Sequence, residues 1–178
     1  MTYTSGIGIG RLEKGEVNAV IEVPQGSRVK YELDKASGMI RVDRILHASM
    51  IYPFNYGFVP ETLCEDGDPS DVLVMGHEPL LPGTVVSCAP IGLLVMEDEN
   101  GPDNKVLAVP TATVDSRFKE VSGLKDLPEQ TPGEIRHFFE RYKELEKGKW
   151  VKVVKWMDAK HALAELRRSH SAFLKKRE

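Results

Sequence analysis

Residues 17–43, VNAVIEVPQGSRVKYELDKASGMIRVD, decide the fold. They hold three short β-type runs: VNAVIEV at 17–23, VKYEL at 29–33 and MIRVD at 39–43. In each, apolar residues alternate or cluster, and turn-forming residues separate the runs. Ala36-Ser37-Gly38 is one such turn. The texture continues at 72–75, 85–96 and 105–109, punctuated by Pro82-Gly83 and Asn100-Gly101. Many short, evenly spaced strands predict a closed or partly open barrel, because closure leaves no exposed strand edge.

Helices are expected only late in the chain. Thr131-Pro132-Gly133-Glu134 reads as a capping box with proline at the first helical position. Ile135, Phe138, Phe139, Tyr142 and Leu145 then recur at helical spacing, and Gly148 reads as the stop. A strand is expected at 150–156. Asp158 can cap a second helix whose apolar stripe is Ala162, Leu163, Leu166 and Phe173. The chain therefore reads as a mainly β (α+β) protein and a single domain over 1–178. A barrel core is followed by a helix, a strand and a closing helix. The first fifteen residues, with the run GIGIG at 6–10, read as a flexible or loosely packed terminus. That run lacks the spacing of a dinucleotide fingerprint, and no strand precedes it.

Bulk properties narrow the function. The formal net charge of −3 leaves no basic surplus for gripping a nucleic-acid backbone. Cys64 and Cys88 form no CxxC pair, which argues against a thiolate zinc site and fits a reducing compartment. The first ten residues lack the pattern of a signal peptide, and no apolar run reaches membrane-span length. A cytoplasmic protein is expected.

The chemistry concentrates in Asp66-Gly67-Asp68-Pro69-Ser70-Asp71, three carboxylates in six residues of a turning segment. Like charges this close repel one another unless a cation sits among them. Oxygen donors without histidine or thiolate select magnesium, manganese or calcium, and the calcium-loop spacing of an EF-hand is not met. A second acidic stretch, Glu97, Asp98, Glu99 and Asp103, follows one strand later, with Lys105 beside it. Two acidic loops flanking one strand can converge at one mouth of a barrel. Lys30, Arg44, Tyr52, Tyr56, Tyr142 and Lys143 add cations and phenols, and Lys30 and Glu32 share one strand face. Carboxylates for metals beside arginine and lysine describe a pocket for a metal-bound anion, with phosphate the natural candidate.

These motifs, in order, resemble the family I inorganic pyrophosphatases in their short bacterial form. The matching pieces are Glu22 in VIEVP, Lys30-Tyr31-Glu32, Val42-Asp43-Arg44, Tyr52-Pro53-Phe54-Asn55-Tyr56-Gly57, the Asp66–Asp71 block, the loop from Asp98 to Lys105, His137-Phe138-Phe139, Tyr142-Lys143 and Lys147-Gly148-Lys149-Trp150. The resemblance implies a five-stranded OB-like closed β-barrel with two main helices, a homohexamer, and several Mg2+ ions per site, with Mn2+ as a substitute. It implies hydrolysis of pyrophosphate, with no nucleic acid and no membrane involved. Asp66, Asp71, Asp98, Asp103, Glu22 and Glu32 would serve the metals directly or through their waters. Asp68 would be the general base. Lys30, Arg44, Tyr56, Lys105, Tyr142 and Lys143 would hold the phosphoryl groups. Ser70 departs from the family's pattern, which has a bulky apolar residue there; altered packing is expected.

Two rivals stay open at this point. One is a magnesium-dependent hydrolase of another phosphoanhydride, such as a nucleotide, although no GxxxxGK[ST] loop is present. The other is an OB-type nucleic-acid-binding module, which would need a basic groove with aromatics facing the bases.

Overall fold

A computed structural model describes residues 6–177. Among the described residues, nine strands and two α-helices run in the order β1 (Val17–Val23), β2 (Val29–Leu33), β3 (Ile40–Ile45), β4 (Asn55–Val59), β5 (Ser70–Val74), β6 (Val85–Asp98), β7 (Gly101–Pro102), β8 (Lys105–Pro110), α1 (Gln130–Arg141), β9 (Val151–Asp158) and α2 (Ala159–Arg177).

Five strands close a ring. β1 pairs with β4, β4 with β5, β5 with β8, β8 with β6, and β6 returns to β1. Only β5–β8 is parallel. This is the closed, five-stranded, OB-like barrel with two helices that the sequence led us to expect. The 14-residue β6 outruns the ring. Its first residues pair with β1, and its second half pairs with β9 over Gly92–Asp98. The β2–β3 hairpin forms a separate two-stranded sheet.

Both faces of the ring strands are covered, so their sequences are apolar runs rather than strict alternations. All six residues of β8 are buried. Leu73 and Leu107 belong to one cluster, with Tyr52, Tyr56 and Ile135, Phe138 and Phe139 of α1. Val72, Val74, Val106 and Ala108 belong to the other, with Ala162 and Leu166 of α2. Each helix thus seals one face.

Strand β4 escapes the periodicity argument. Its sequence, NYGFV, carries Asn55 and Gly57, both poor strand formers. Gly57 is required by contact, since a Cβ there would stand 1.9 Å from the Val20 carbonyl oxygen on β1. Asn55 is buried and satisfied, accepting N–H groups of Gln25 and Leu80 and donating to Glu78 O.

Three local expectations are corrected. First, α1 starts at Gln130, and Thr131 lies buried inside its first turn rather than capping it. Pro132 occupies the third helical position, where its missing N–H has no partner to lose, and its carbonyl accepts Trp156 Nε1–H at 3.1 Å. Second, α1 ends at Arg141, and Tyr142 to Gly148 continue as turns closed by i→i−3 bonds. Leu145 is consequently 64% exposed and leaves the apolar stripe. Third, the described part of the N-terminal segment is packed rather than loose. Ile9 is buried, Asn18 N–H donates to Ile9 O at 2.8 Å, and Leu12–Lys14 forms a 3-10 turn. Residues 1–5, also covered by that expectation, lie outside the described residues. The cap on α2 is as expected, with Asp158 Oδ1 accepting His161 N–H at 3.1 Å.

Candidate active site

One cavity of about 790 Å³ opens at a mouth of the barrel, and all thirteen residues to which the family resemblance gave a site role line it. The fold explains the convergence. Parallel pairing sets Asp71 of β5 opposite Lys105 at the start of β8. Asp98 ends β6, and Asp103 follows the tight β6–β7 hairpin. β1 contributes Glu22 and β4 Tyr56. The β2–β3 hairpin brings Lys30, Glu32 and Arg44, and the turn after α1 brings Tyr142 and Lys143.

The charges interlock. Lys105 Nζ, only 2% exposed as a residue, donates to both Asp71 and Asp103 and so ties the two acidic loops together. Burial by itself lowers a lysine pKa, but these two carboxylates outweigh it and raise the Lys105 value. Lys143 Nζ donates to Asp98 Oδ2 at 2.6 Å inside the protein. Asp98 feels burial, which favours its neutral form, yet Lys143 and the Asn100 N–H win and lower its pKa. Lys30 pairs with Glu32 and lies 3.4 Å from Asp43. Arg44 Nε donates to Glu146 Oε1 at 2.9 Å. At the mouth, Lys35 Nζ reaches Asp68 Oδ1 at 2.5 Å.

Other carboxyls resist ionisation. Burial pushes Glu22 up to about 7, with the Asp71 charge adding to it and the Leu33 N–H, at 2.7 Å, working against it. Burial likewise raises Asp103 to about 6, opposed by Lys105 and assisted by Asp71. Asp66 is raised by burial. Burial also holds the phenols of Tyr56 and Tyr142 far above 10, so both remain neutral hydrogen-bonding groups.

The raised Glu22 value fixes a pH prediction. A carboxyl whose folded pKa exceeds its unfolded one binds more protons when folded, so its effect destabilises the fold as pH rises from about 4.5 through about 7. Metal-free protein should therefore melt at lower temperature at pH 8 than at pH 5.5, and Glu22→Gln should remove part of that fall. Melting curves in EDTA at the two pH values test this; an undiminished fall in the variant would rule it out.

The sequence reading passed over several residues of the cavity. Asp43, Glu99 and Lys149 lie in quoted motifs without a site assignment, and Lys35, in none of those motifs, also lines the wall. Glu146 stands behind Arg44, 8% exposed, and its pairing spans 102 positions that no local pattern records. Tyr52, quoted with the phenols, is 1% exposed in the core and does not line the cavity. Ser70 is the buried first residue of β5, and its hydroxyl donates to Ser169 Oγ on α2 at 2.8 Å. Cys64 and Cys88 are free thiols.

Ten carboxylates and seven cationic side chains face this one cavity. All the anionic donors are hard oxygens, the set that suits Mg2+ or Mn2+. Among the described residues no three His, Cys, Asp or Glu side chains form a ready-made metal cluster, and the lysines serve as counter-ions to the acids instead. No described helix is long and apolar enough to cross a membrane.

Comparison with known proteins agrees with this geometry. Residues 19–174 match the family model for inorganic pyrophosphatase. The chain is 50% identical over 163 residues to the inorganic pyrophosphatase of Saccharolobus solfataricus, covering 92% of this chain and 95% of that protein. It is 51% identical over 169 residues to the inorganic pyrophosphatase of Aeropyrum pernix, covering 95% and 96%. The crystal structure of inorganic pyrophosphatase from Thermus thermophilus superposes with a TM-score of 0.89 at 49% identity, covering 93% of this chain and 95% of that one. A closed five-stranded barrel, an acid-and-lysine cavity at its mouth, and relatives matched almost end to end agree on one answer: the chain belongs to the inorganic pyrophosphatase family.

Proposed function

We propose that this chain hydrolyses inorganic pyrophosphate to two phosphates, using divalent cations, Mg2+ above all. The observation that carries the proposal is the shared cavity, where two acidic loops meet a wall of lysine, arginine and tyrosine. Acids alone would repel pyrophosphate, and cations alone would bind it without activating water. Together they suit an anion that arrives with metals.

Asp66, Asp71, Asp98 and Asp103 would hold the ions, with Glu22 and Glu32 completing the set or ordering their waters. Bound divalent ions supply counter-charge to the phosphates and make an attacking water more acidic. The rest of the work falls to side chains. Asp68, at the mouth, accepts the proton of the attacking water. Lys30, Arg44, Lys105 and Lys143 neutralise charge on the phosphoryl groups and hold them in line. Tyr56 and Tyr142 donate hydrogen bonds without adding charge. Lys105 and Lys143 now face carboxylates, so substrate and ions would share these lysines with Asp71, Asp103 and Asp98. A homohexameric, cytoplasmic enzyme is part of the same proposal.

Phosphate release from pyrophosphate with and without Mg2+, beside ATP, tests the reading. Fast release from pyrophosphate, lost in EDTA and much slower with ATP, is expected. Equal rates on ATP would favour the broader phosphoanhydride hydrolase.

A further inference from the structure

The first acidic loop is held from behind by the middle of α2. Leu63 N–H donates to Ser169 O at 3.0 Å, His170 Nδ1 and Glu61 O are 2.7 Å apart, and Arg168 lies 3.4 Å from Glu65. Glu61 has a positive φ of 55°, uncommon for a residue other than glycine. It is fixed there on two sides, because its carboxylate also accepts the Ile9 N–H at 3.3 Å.

A chain of buried polar groups runs through this contact. Thr62 Oγ1 donates to Val59 O at 2.6 Å and accepts Ser70 N–H at 2.8 Å. Ser70 Oγ donates to Ser169 Oγ at 2.8 Å, and Ser169 Oγ donates to Leu166 O at 3.2 Å. Cys64 Sγ is 3.4 Å from Ser70 Oγ. With the Ser70 proton committed to Ser169, the thiol is the donor. Thr62, Ser70 and Ser169 are each 3% exposed, where an unmade hydrogen bond is costly. Alternate strand residues face opposite ways, so anchoring Ser70 toward α2 turns Asp71 toward the cavity.

We propose that Ser169 is a positioning residue for the active site: through Ser70 it clamps the loop so that Asp66, Asp68 and Asp71 are pre-set for divalent ions. The loop carries three carboxylates that repel one another; Lys35 and Lys105 offset part of that charge at Asp68 and Asp71, and the Ser70–Ser169 bond fixes the end of the loop to the helix behind it. The inference rests on the metal-binding proposal above.

Calorimetric titration of the full chain with Mn2+ tests it, well below the melting temperature. Wild-type binding comes first; if the wild type takes up no Mn2+, the metal proposal fails and this one with it. Given wild-type binding, Ser169→Ala should bind Mn2+ about tenfold more weakly, the scale seen when a partner behind a metal ligand is removed. Its kcat at saturating metal should stay within about threefold of wild type. Ala164→Gly, on the exposed face one turn earlier, weakens the helix by a comparable amount without touching the bond. Its Mn2+ affinity should stay within about twofold of wild type. Wild-type affinity in Ser169→Ala, or an equal loss in Ala164→Gly, would overturn the clamp. Should Ser169→Ala not fold, Ser70→Ala breaks the same bond from the loop side and is read the same way.

Discussion

Asp68→Asn is expected to lower turnover on pyrophosphate by on the order of 10²–10³ near neutral pH, at saturating Mg2+. The amide keeps the shape of the side chain but cannot accept a proton from water. Asp68 suits the role of base by its place. It stands at the mouth, 66% exposed in its side chain and paired, among the described residues, only with the equally exposed Lys35, while Asp71 and Asp103 are engaged with the buried Lys105. Its backbone N–H donates to Asp66 Oδ1 at 2.9 Å, which keeps the two carboxylates in one turn. The substitution leaves that bond in place, so metal affinity should stay close to wild type while turnover falls. A pH–rate profile of the variant beside its metal titration checks both halves. Wild-type turnover across the neutral range would mean that another group takes the proton.

Lys105→Met is expected to damage the fold and the chemistry together. The ammonium is buried between Asp71 and Asp103, and its removal leaves two part-buried carboxylates facing each other. Breaking a buried pair in this way costs about 3–5 kcal/mol. Turnover should fall at least about a hundredfold, since a charge partner of the phosphoryl groups is also lost. Adding Asp103→Asn to Lys105→Met should recover part of the stability, because one stranded charge is then removed. Urea unfolding of the two single variants and the double variant in EDTA measures the coupling. A stability loss below about 1 kcal/mol for Lys105→Met would show that the pair is worth no more than a surface salt bridge.

The barrel was legible because its strands are short, apolar and set apart by glycine and proline turns. What local pattern could not reveal was closure, which depends on pairings between distant residues such as Val17 with Cys88. β4 was hidden because Asn55 and Gly57 serve tertiary contacts at the expense of strand propensity. The end of α1 was misplaced because Tyr142 and Leu145 extend the helical period, whereas the chain turns there and sets Tyr142 and Lys143 into the cavity wall. Functional demand at those two positions overrode the expectation that the helix would run to Gly148. In the site, dense carboxylates betrayed themselves, as did cations inside recognisable motifs. Glu146 and Ser169 did not, since each acts on a residue about a hundred positions away.

The central claim is that residues 66–71 and 98–103 hold divalent ions jointly. Anomalous diffraction from crystals soaked in Mn2+ tests it most directly. The account predicts strong peaks inside the cavity, with carboxylate oxygens from both loops as neighbours. Peaks confined to one loop, or lying elsewhere on the molecule, would contradict it.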